Sequence, residues 1–262
     1  MGAQTMADCD WYAGLEQRRA LTLALVLEGQ RLRMAFGVKG KKLLNVLHGM
    51  AVDSLPRRAH PAQPFQTEVQ ISAPDTPVWQ AMLKLLEKHG VARIVDSVAD
   101  QSGAFFRLVL AWANEDAARY LGGGYLEEYA FLCAQSLGLP ASQFASNVRL
   151  RPHNSSLPEG HEYQELDLAV VWRNRLWVFE CKAGVQLHTG KGQDILNKLD
   201  SLKGHIGGAM GEGWLLTPLP LRDDFDGHIH AIERAHQYGI RLVHASGELA
   251  KLPLLLSKRW AG

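Results

Sequence analysis

The chain has 262 residues, 47% of them hydrophobic and 21% charged, with 28 basic against 27 acidic side chains and a net charge of +1. That length buries the core of one large domain or two small ones, and the near-neutral balance argues mildly against a uniformly basic nucleic-acid binder, although a local basic groove escapes a net charge. Cys9, Cys133 and Cys181 are far apart with no CxxC pair, and no secretory leader or membrane-length apolar run is read, so a disulfide framework, a structural zinc site and a membrane partner are not expected and the cytoplasm is the expected compartment.

The opening "MGAQTMADCD" is left out of the fold reasoning. Residues 20–28 and 31–36 read as two strands around "EGQ", followed by a short helix in "KKLLNVLHGM". Residues 51–77 hold five of the 11 prolines; proline fixes φ and removes a donor, so this stretch reads as a linker and a domain boundary. "TPVWQAMLKLLEKHGV" places Val78, Met82, Leu85 and Leu86 at helical spacing with Gly90 as the stop. "VARIV" and "FFRLVLAW" are strand-like runs separated by the polar "DSVADQSG". Helix plus ribbon resembles a winged-helix module over 76–118. Nothing basic accumulates on its helix, which favours a spacer over a DNA-contacting wing.

From Gly122 the pattern is denser. "GGGYLEEYAFLCAQSLGLP" carries Leu126, Tyr129, Ala130, Cys133 and Leu137 on one stripe. "SNVRLR", "YQELDLAVVW" and "RLWVFECK" read as strands, and the loop "AGVQLHTGKG" leads to a helix in "QDILNKLDSLKGHIGG". "GWLLTP" is a strand, "HIHAIERAHQYG" a helix and "IRLVHA" a strand. The order predicts an α/β fold with a mixed central sheet flanked by helices.

"DLAVVW" and "RLWVFE" form an antiparallel hairpin if Arg173-Asn174 is the turn, since Asn tolerates the left-handed conformation. That register sets Asp167 opposite Glu180, with Cβ atoms about 5 Å apart. Facing like charges destabilise a sheet unless something positive lies between them, and a divalent ion with oxygen ligands, Mg²⁺ or Mn²⁺, suits the gap. Lys182 points to the same face as Glu180 and would stand beside the ion. The same register sets Glu165 opposite Lys182, so a cross-strand salt bridge explains the lysine equally well. On spacing alone, a catalytic site and a structural ion cluster are equally good accounts.

This set resembles the PD-(D/E)XK nuclease superfamily, with Asp167 as the first acid and Glu180 and Lys182 as the E-x-K. More narrowly, "YLGGGYLEEY", "QELDLAVVW", "VFECKAG" and "DILNKLDSLKGHIGG" look like the nuclease domain of the CARF-linked effectors of type III CRISPR systems, over about residues 76–220. The resemblance implies a restriction-endonuclease-like core over 119–262 and a metal-dependent endonuclease that hydrolyses phosphodiester bonds of DNA or RNA, as a homodimer in antiviral defence. It implies that Asp167, Glu180 and the Cys181 backbone carbonyl hold Mg²⁺ or Mn²⁺, that Glu127 completes the shell, and that Lys182 orients water or offsets charge. Glu127 is chosen over Glu128 because it borders the apolar stripe beside Ala130.

A CARF sensor is longer than the roughly 75 residues that precede the winged-helix-like segment. Residues 1–75 are then a truncated sensor or a dimerisation part, and activation by a cyclic oligoadenylate is in doubt. Lys198, Lys191, His188, Arg149 and Arg151 are the candidate nucleic-acid contacts, each with a plain surface alternative. His228 and His230 do not share a helix face, and "FGVKGKK" lacks phosphate-loop spacing, so both are set aside. Two other readings stay open: a non-catalytic nucleic-acid-binding or regulatory protein on this scaffold, and a restriction or repair nuclease of another branch.

Overall fold

The computed structural model describes residues 19–23, 25–26, 49–51, 65–72, 76–150, 164–184, 187, 191–221 and 226–261. They fall into two compact units, one within 16–125 and one within 126–262. Among the described residues no helix is long and apolar enough to cross a membrane.

In the first unit, residues 19–23 and 25–26 are helical, where a strand was expected. Leu21 and Leu25 are buried while Leu23 is exposed; a short apolar run of leucine and alanine satisfies either period, and helix propensity decides it. The expected strand at 31–36 lies outside the described residues, as does most of the expected helix at 41–50.

The proline-rich stretch read as a linker contains a strand, β1 (Gln66–Ser72). It is an edge strand whose side chains are mostly half-exposed, so it lacks the apolar alternation that would announce it. Helix α1 (Thr76–Lys88) buries Trp79, Met82, Leu83 and Leu86. It stops where expected, with Gly90 at φ 66 and Val91 N–H donating to Leu86 O at 2.9 Å. Strands β2 (Ala92–Ala99) and β3 (Phe105–Trp112) follow. β2 runs on through the polar residues read as a loop, with a bulge between Ile94 and Asp96, because an exposed edge tolerates them. The antiparallel sheet has the order β1-β3-β2.

Helix α2 (Glu115–Arg119) is capped by Asn114, whose side chain accepts from Ala117 N–H at 2.9 Å. A π-helical turn over Tyr120–Gly124, with Gly123 at φ 150, leads into α3 (Tyr125–Gln135).

The second unit holds β4 (Phe144–Leu150), β5 (Gln164–Trp172), β6 (Arg175–Cys181), α4 (Lys191–Gly207), β7 (Gly211–Thr217), α5 (Asp226–Gln237), β8 (Arg241–His244), α6 (Ala245–Leu249) and α7 (Leu252–Ala261). The sheet order is β4-β5-β6-β7-β8. β4, β5 and β6 pair antiparallel, and β6, β7 and β8 pair parallel. This is the mixed α/β sheet that the sequence predicted, with α6 and α7 added at its end.

Both faces are covered, so β6 is buried along its length from Trp177 to Cys181. On one face Val178, Leu215 and Leu166 pack with Leu196, Leu199 and Leu202 of α4 and with Ala231 and Ala235 of α5. On the other, Phe179 stacks on Trp214 with centroids 5.5 Å apart, and Phe131 of α3 meets Phe144 at 5.1 Å. α4 approaches β7 closely because of two glycines. A Cβ at Gly211 would collide with the Lys203 carbonyl, and one at Gly213 would lie 3.2 Å from both Leu199 and Ile240. That approach sets the height of Lys198 over the sheet.

Candidate active site

The hairpin has the predicted register. Trp172 faces Arg175 and the pairing continues to Leu168 and Phe179. Arg173 and Asn174 form the two-residue turn with φ of 45° and 62°, the left-handed pair that matches strand twist. The Arg173 guanidinium lies 5.2 Å from the Trp172 ring centroid, a cation–π contact at the turn.

One step further the ladder opens. Paired positions on the β4 side are Leu168 with Ser146 and Leu166 with Val148, skipping Asp167 and Asn147. Asn147 is left-handed at φ 49. On the β6 side, Cys181 N–H donates to Asp167 Oδ2 at 2.6 Å, so a carboxylate takes the bond that a backbone carbonyl takes elsewhere in the ladder. Asp167 is thus held by one oxygen at a parting of strands, beside the end of β6.

Glu180 is 4% exposed. Its Oε1 lies 2.5 Å from Lys182 Nζ and 3.9 Å from Lys198 Nζ. Lys182 Nζ also donates to the Cys181 carbonyl oxygen at 3.2 Å, and its backbone N–H is anchored to Leu216 O at 2.8 Å. The parallel β6–β7 ladder therefore carries one residue past the strand, which keeps Lys182 in place. Its ion pair goes to Glu180, not across the hairpin to Glu165 as the plain salt-bridge account would have it. Cys181 Sγ lies 3.9 Å from the Leu126 carbonyl oxygen, which brings the start of α3, and Glu127 with it, to this end of the sheet.

The electrostatics follow from burial. Burial first, and then the charge of Glu180, push Asp167 up to about 7, against the pull of Lys182, the Cys181 N–H and Lys198. Burial and the charge of Asp167 push Glu127 up to about 8, with Glu165 and Glu180 adding to it. Burial works to lower Lys182, but Asp167 and Glu180 outweigh it and its pKa is raised. The Cys181 thiol is driven up by burial and by the Asp167 charge, which disfavours its thiolate form. Among the described residues three acids, Asp167, Glu180 and Glu127, share the ammonium groups of Lys182 and Lys198, an excess of negative charge that a bound cation would relieve.

Among the described residues no group of three or more His, Cys, Asp or Glu side chains is gathered as a ready metal cage. The donor chemistry nevertheless fits a hard divalent ion. The available atoms are the Asp167, Glu180 and Glu127 carboxylates and the Cys181 carbonyl, all oxygen. The Lys182 ammonium sits on two of them.

Asp167, Glu180, Lys182, Cys181, Glu127 and Lys198 are brought together. Lys191 opens α4 and is exposed, where a loop was expected. Arg149 is exposed on β4 opposite Glu165. His188 and Arg151 lie outside the described residues. Two acids that the sequence reading weighed without choosing them as site residues stand out: Glu165, whose charge reaches Glu127, and Glu128, which is fully buried and engaged. Alternation along "QELD" put Glu165 on the Asp167 side of the strand; the apolar stripe of the helix favoured Glu127 over Glu128.

The family model described as "Card1-like, endonuclease domain" matches residues 114–261, more than half of the chain, starting at the Asn114 cap of α2. Comparison with curated proteins gives no match. Among solved structures the chain is similar to protein VC1899 from Vibrio cholerae, with a TM-score of 0.65 and 21% identity over 99% of this chain and 58% of that one. It is also similar to Can2 from Sulfobacillus thermosulfidooxidans, solved in complex with cyclic tetra-adenylate, with a TM-score of 0.61 and 17% identity over 98% of this chain and 56% of that one. At such identities the likeness is one of fold, and the chain spans somewhat over half the length of either structure. With the family model laid over the elements that carry the acids and lysines, the chain belongs to the Card1-like endonuclease-domain family.

Proposed function

We propose that the chain is a divalent-metal-dependent endonuclease that hydrolyses phosphodiester bonds of nucleic acid in CRISPR-associated antiviral defence. The observation that carries the reading is the charge imbalance at the end of β6. Asp167 and Glu127 are pushed up to about 7 and 8 although Lys182 and Lys198 are both at hand. A carboxyl cluster that stays short of positive charge is costly unless a cation completes it.

On this reading Asp167, Glu180 and the Cys181 carbonyl hold Mg²⁺ or Mn²⁺, and Glu127 completes the set. Such an ion makes water a better nucleophile near neutral pH and offsets charge on the phosphoryl group. The chain's own groups do the rest. Asp167, fixed through Oδ2 to Cys181 N–H, presents its other oxygen in a constant place. Lys182 orients the attacking water or offsets transition-state charge. Lys198, which is 40% exposed, meets a phosphate of the incoming strand. Lys191 and Arg149 extend that contact, and His188 and Arg151 belong to the same proposal.

The three-part organisation (1–75, 76–118 and 119–262) and a homodimeric working unit are part of it too; light scattering checks the dimer. The cyclic tetra-adenylate is Can2's ligand and is not carried over. The test is cleavage of plasmid and single-stranded DNA and RNA with Mn²⁺ by wild type, Glu180→Ala and Lys182→Ala. Cleavage by wild type alone is expected. Equal cleavage by all three would reject the assignment.

A further inference from the structure

Lys182 is tied down at both ends. Its backbone N–H is bonded to Leu216 O at 2.8 Å. Its ammonium lies 2.5 Å from Glu180 Oε1 and 3.2 Å from the Cys181 carbonyl oxygen. Those two oxygens are also donors in the metal reading above, on which this inference rests. An ammonium and a divalent ion drawn to the same two oxygens compete for them, because two cations at such separation repel far more strongly in a buried site than in water.

We propose that Lys182 is a built-in placeholder cation: in the metal-free protein its ammonium holds Glu180 Oε1 and the Cys181 carbonyl, and it releases both when a divalent ion enters. This explains how the chain folds around three crowded acids before any ion arrives. It also gives the released ammonium a use, since its three donors become free beside the reacting phosphate at the moment the site is loaded. The Lys182 side chain is 24% exposed, so there is a way out towards solvent.

Lys198 supplies the control. It lies 3.9 Å from the same Glu180 oxygen and is 40% exposed. At that distance it contributes charge to the site without occupying a ligand position, and solvent screens that charge.

The test is direct Mn²⁺ binding, read from the loss of the free-ion paramagnetic resonance signal, without substrate. It uses the full chain as wild type, Lys182→Met, Lys182→Gln and Lys198→Met, each confirmed folded by its thermal melt. Removing the placeholder is expected to tighten Kd for Mn²⁺ about tenfold or more, equivalent to about 1.4 kcal/mol, in whichever Lys182 variant folds. Lys198→Met is expected to tighten it by no more than about threefold. Wild-type binding that is not tightened in the Lys182 variants, or tightened equally by Lys198→Met, would overturn the placeholder and leave the metal reading standing. No Mn²⁺ binding by any of the folded proteins would overturn both.

Discussion

Two glutamates on neighbouring strands have opposite surroundings. Glu212, near the start of β7, is met by Arg259 at 2.6 and 3.1 Å, Arg175 at 3.6 Å and Arg241 at 3.8 Å. Glu180, near the end of β6, has Lys182 and Lys198 but also lies in the field of Asp167 and Glu127. At Glu212 positive charge exceeds negative and the forked arginine contact locks the geometry. At Glu180 acids outnumber bases among the described residues, and the nearest cation is the single ammonium of Lys182. On the metal reading proposed above, that shortage of positive charge is what a bound cation would relieve.

The two glutamates differ most in what their removal does to activity. Glu180→Ala is expected to lower Mn²⁺-dependent cleavage by about 100-fold or more while costing the fold little, because the repulsion from Asp167 that it relieves offsets the lost Lys182 pair. Glu212→Ala is expected to do the reverse. It strands three guanidinium groups, costs about 1–3 kcal/mol in denaturant unfolding, and leaves cleavage per folded molecule unchanged. If both variants lose stability alike and neither loses cleavage beyond that, Glu180 is a structural acid like Glu212.

A smaller effect sharpens the same contrast through pH. Asp167 ionises near 4 in an unfolded chain but holds its proton to about 7 in the folded one. The folded state therefore binds more protons between about pH 4 and 7, and its stability falls as pH rises through that window. Glu127, pushed up to about 8, acts in the same direction, so the Tm of the metal-free protein should drop by several degrees from pH 5 to pH 8, and Asp167→Asn should lessen the drop. A Tm that rises over that range in wild type would show that the acids are compensated after all. The smallest change is expected for Lys198→Ala, a rise in KM of about tenfold for a nucleic-acid substrate with kcat little altered. Equal loss in both constants would move Lys198 from substrate binding to the reacting centre.

Much of the second unit was legible in order. Helix, three strands, helix, strand, helix and strand follow from periodicity and turn residues, and Arg173-Asn174 announced the hairpin. The first unit read less well, because its elements lack one clean apolar face. β1 lies between prolines with half-exposed side chains, and "LTLALVL" fits two periods. At the site, the strand period puts Glu180 and Lys182 on one face, and the hairpin register brings Asp167 beside them. The burial of Glu128 was not legible, because a charged residue on a helix reads as solvated until the surroundings of the whole helix are known.

By itself the sequence puts Glu180 and Lys182 on one face through the strand period, and through the two-residue turn it sets Asp167 across the hairpin, next to the last paired residues. Only the tertiary structure decided their charge balance, which came from distant parts of the chain. The opening of β5 at Asp167, the carbonyl that Lys182 reaches and the arrival of Glu127 and Lys198 depend on how α3 and α4 pack on the sheet. Coulomb energies depend on those distances and on burial, which no local pattern encodes.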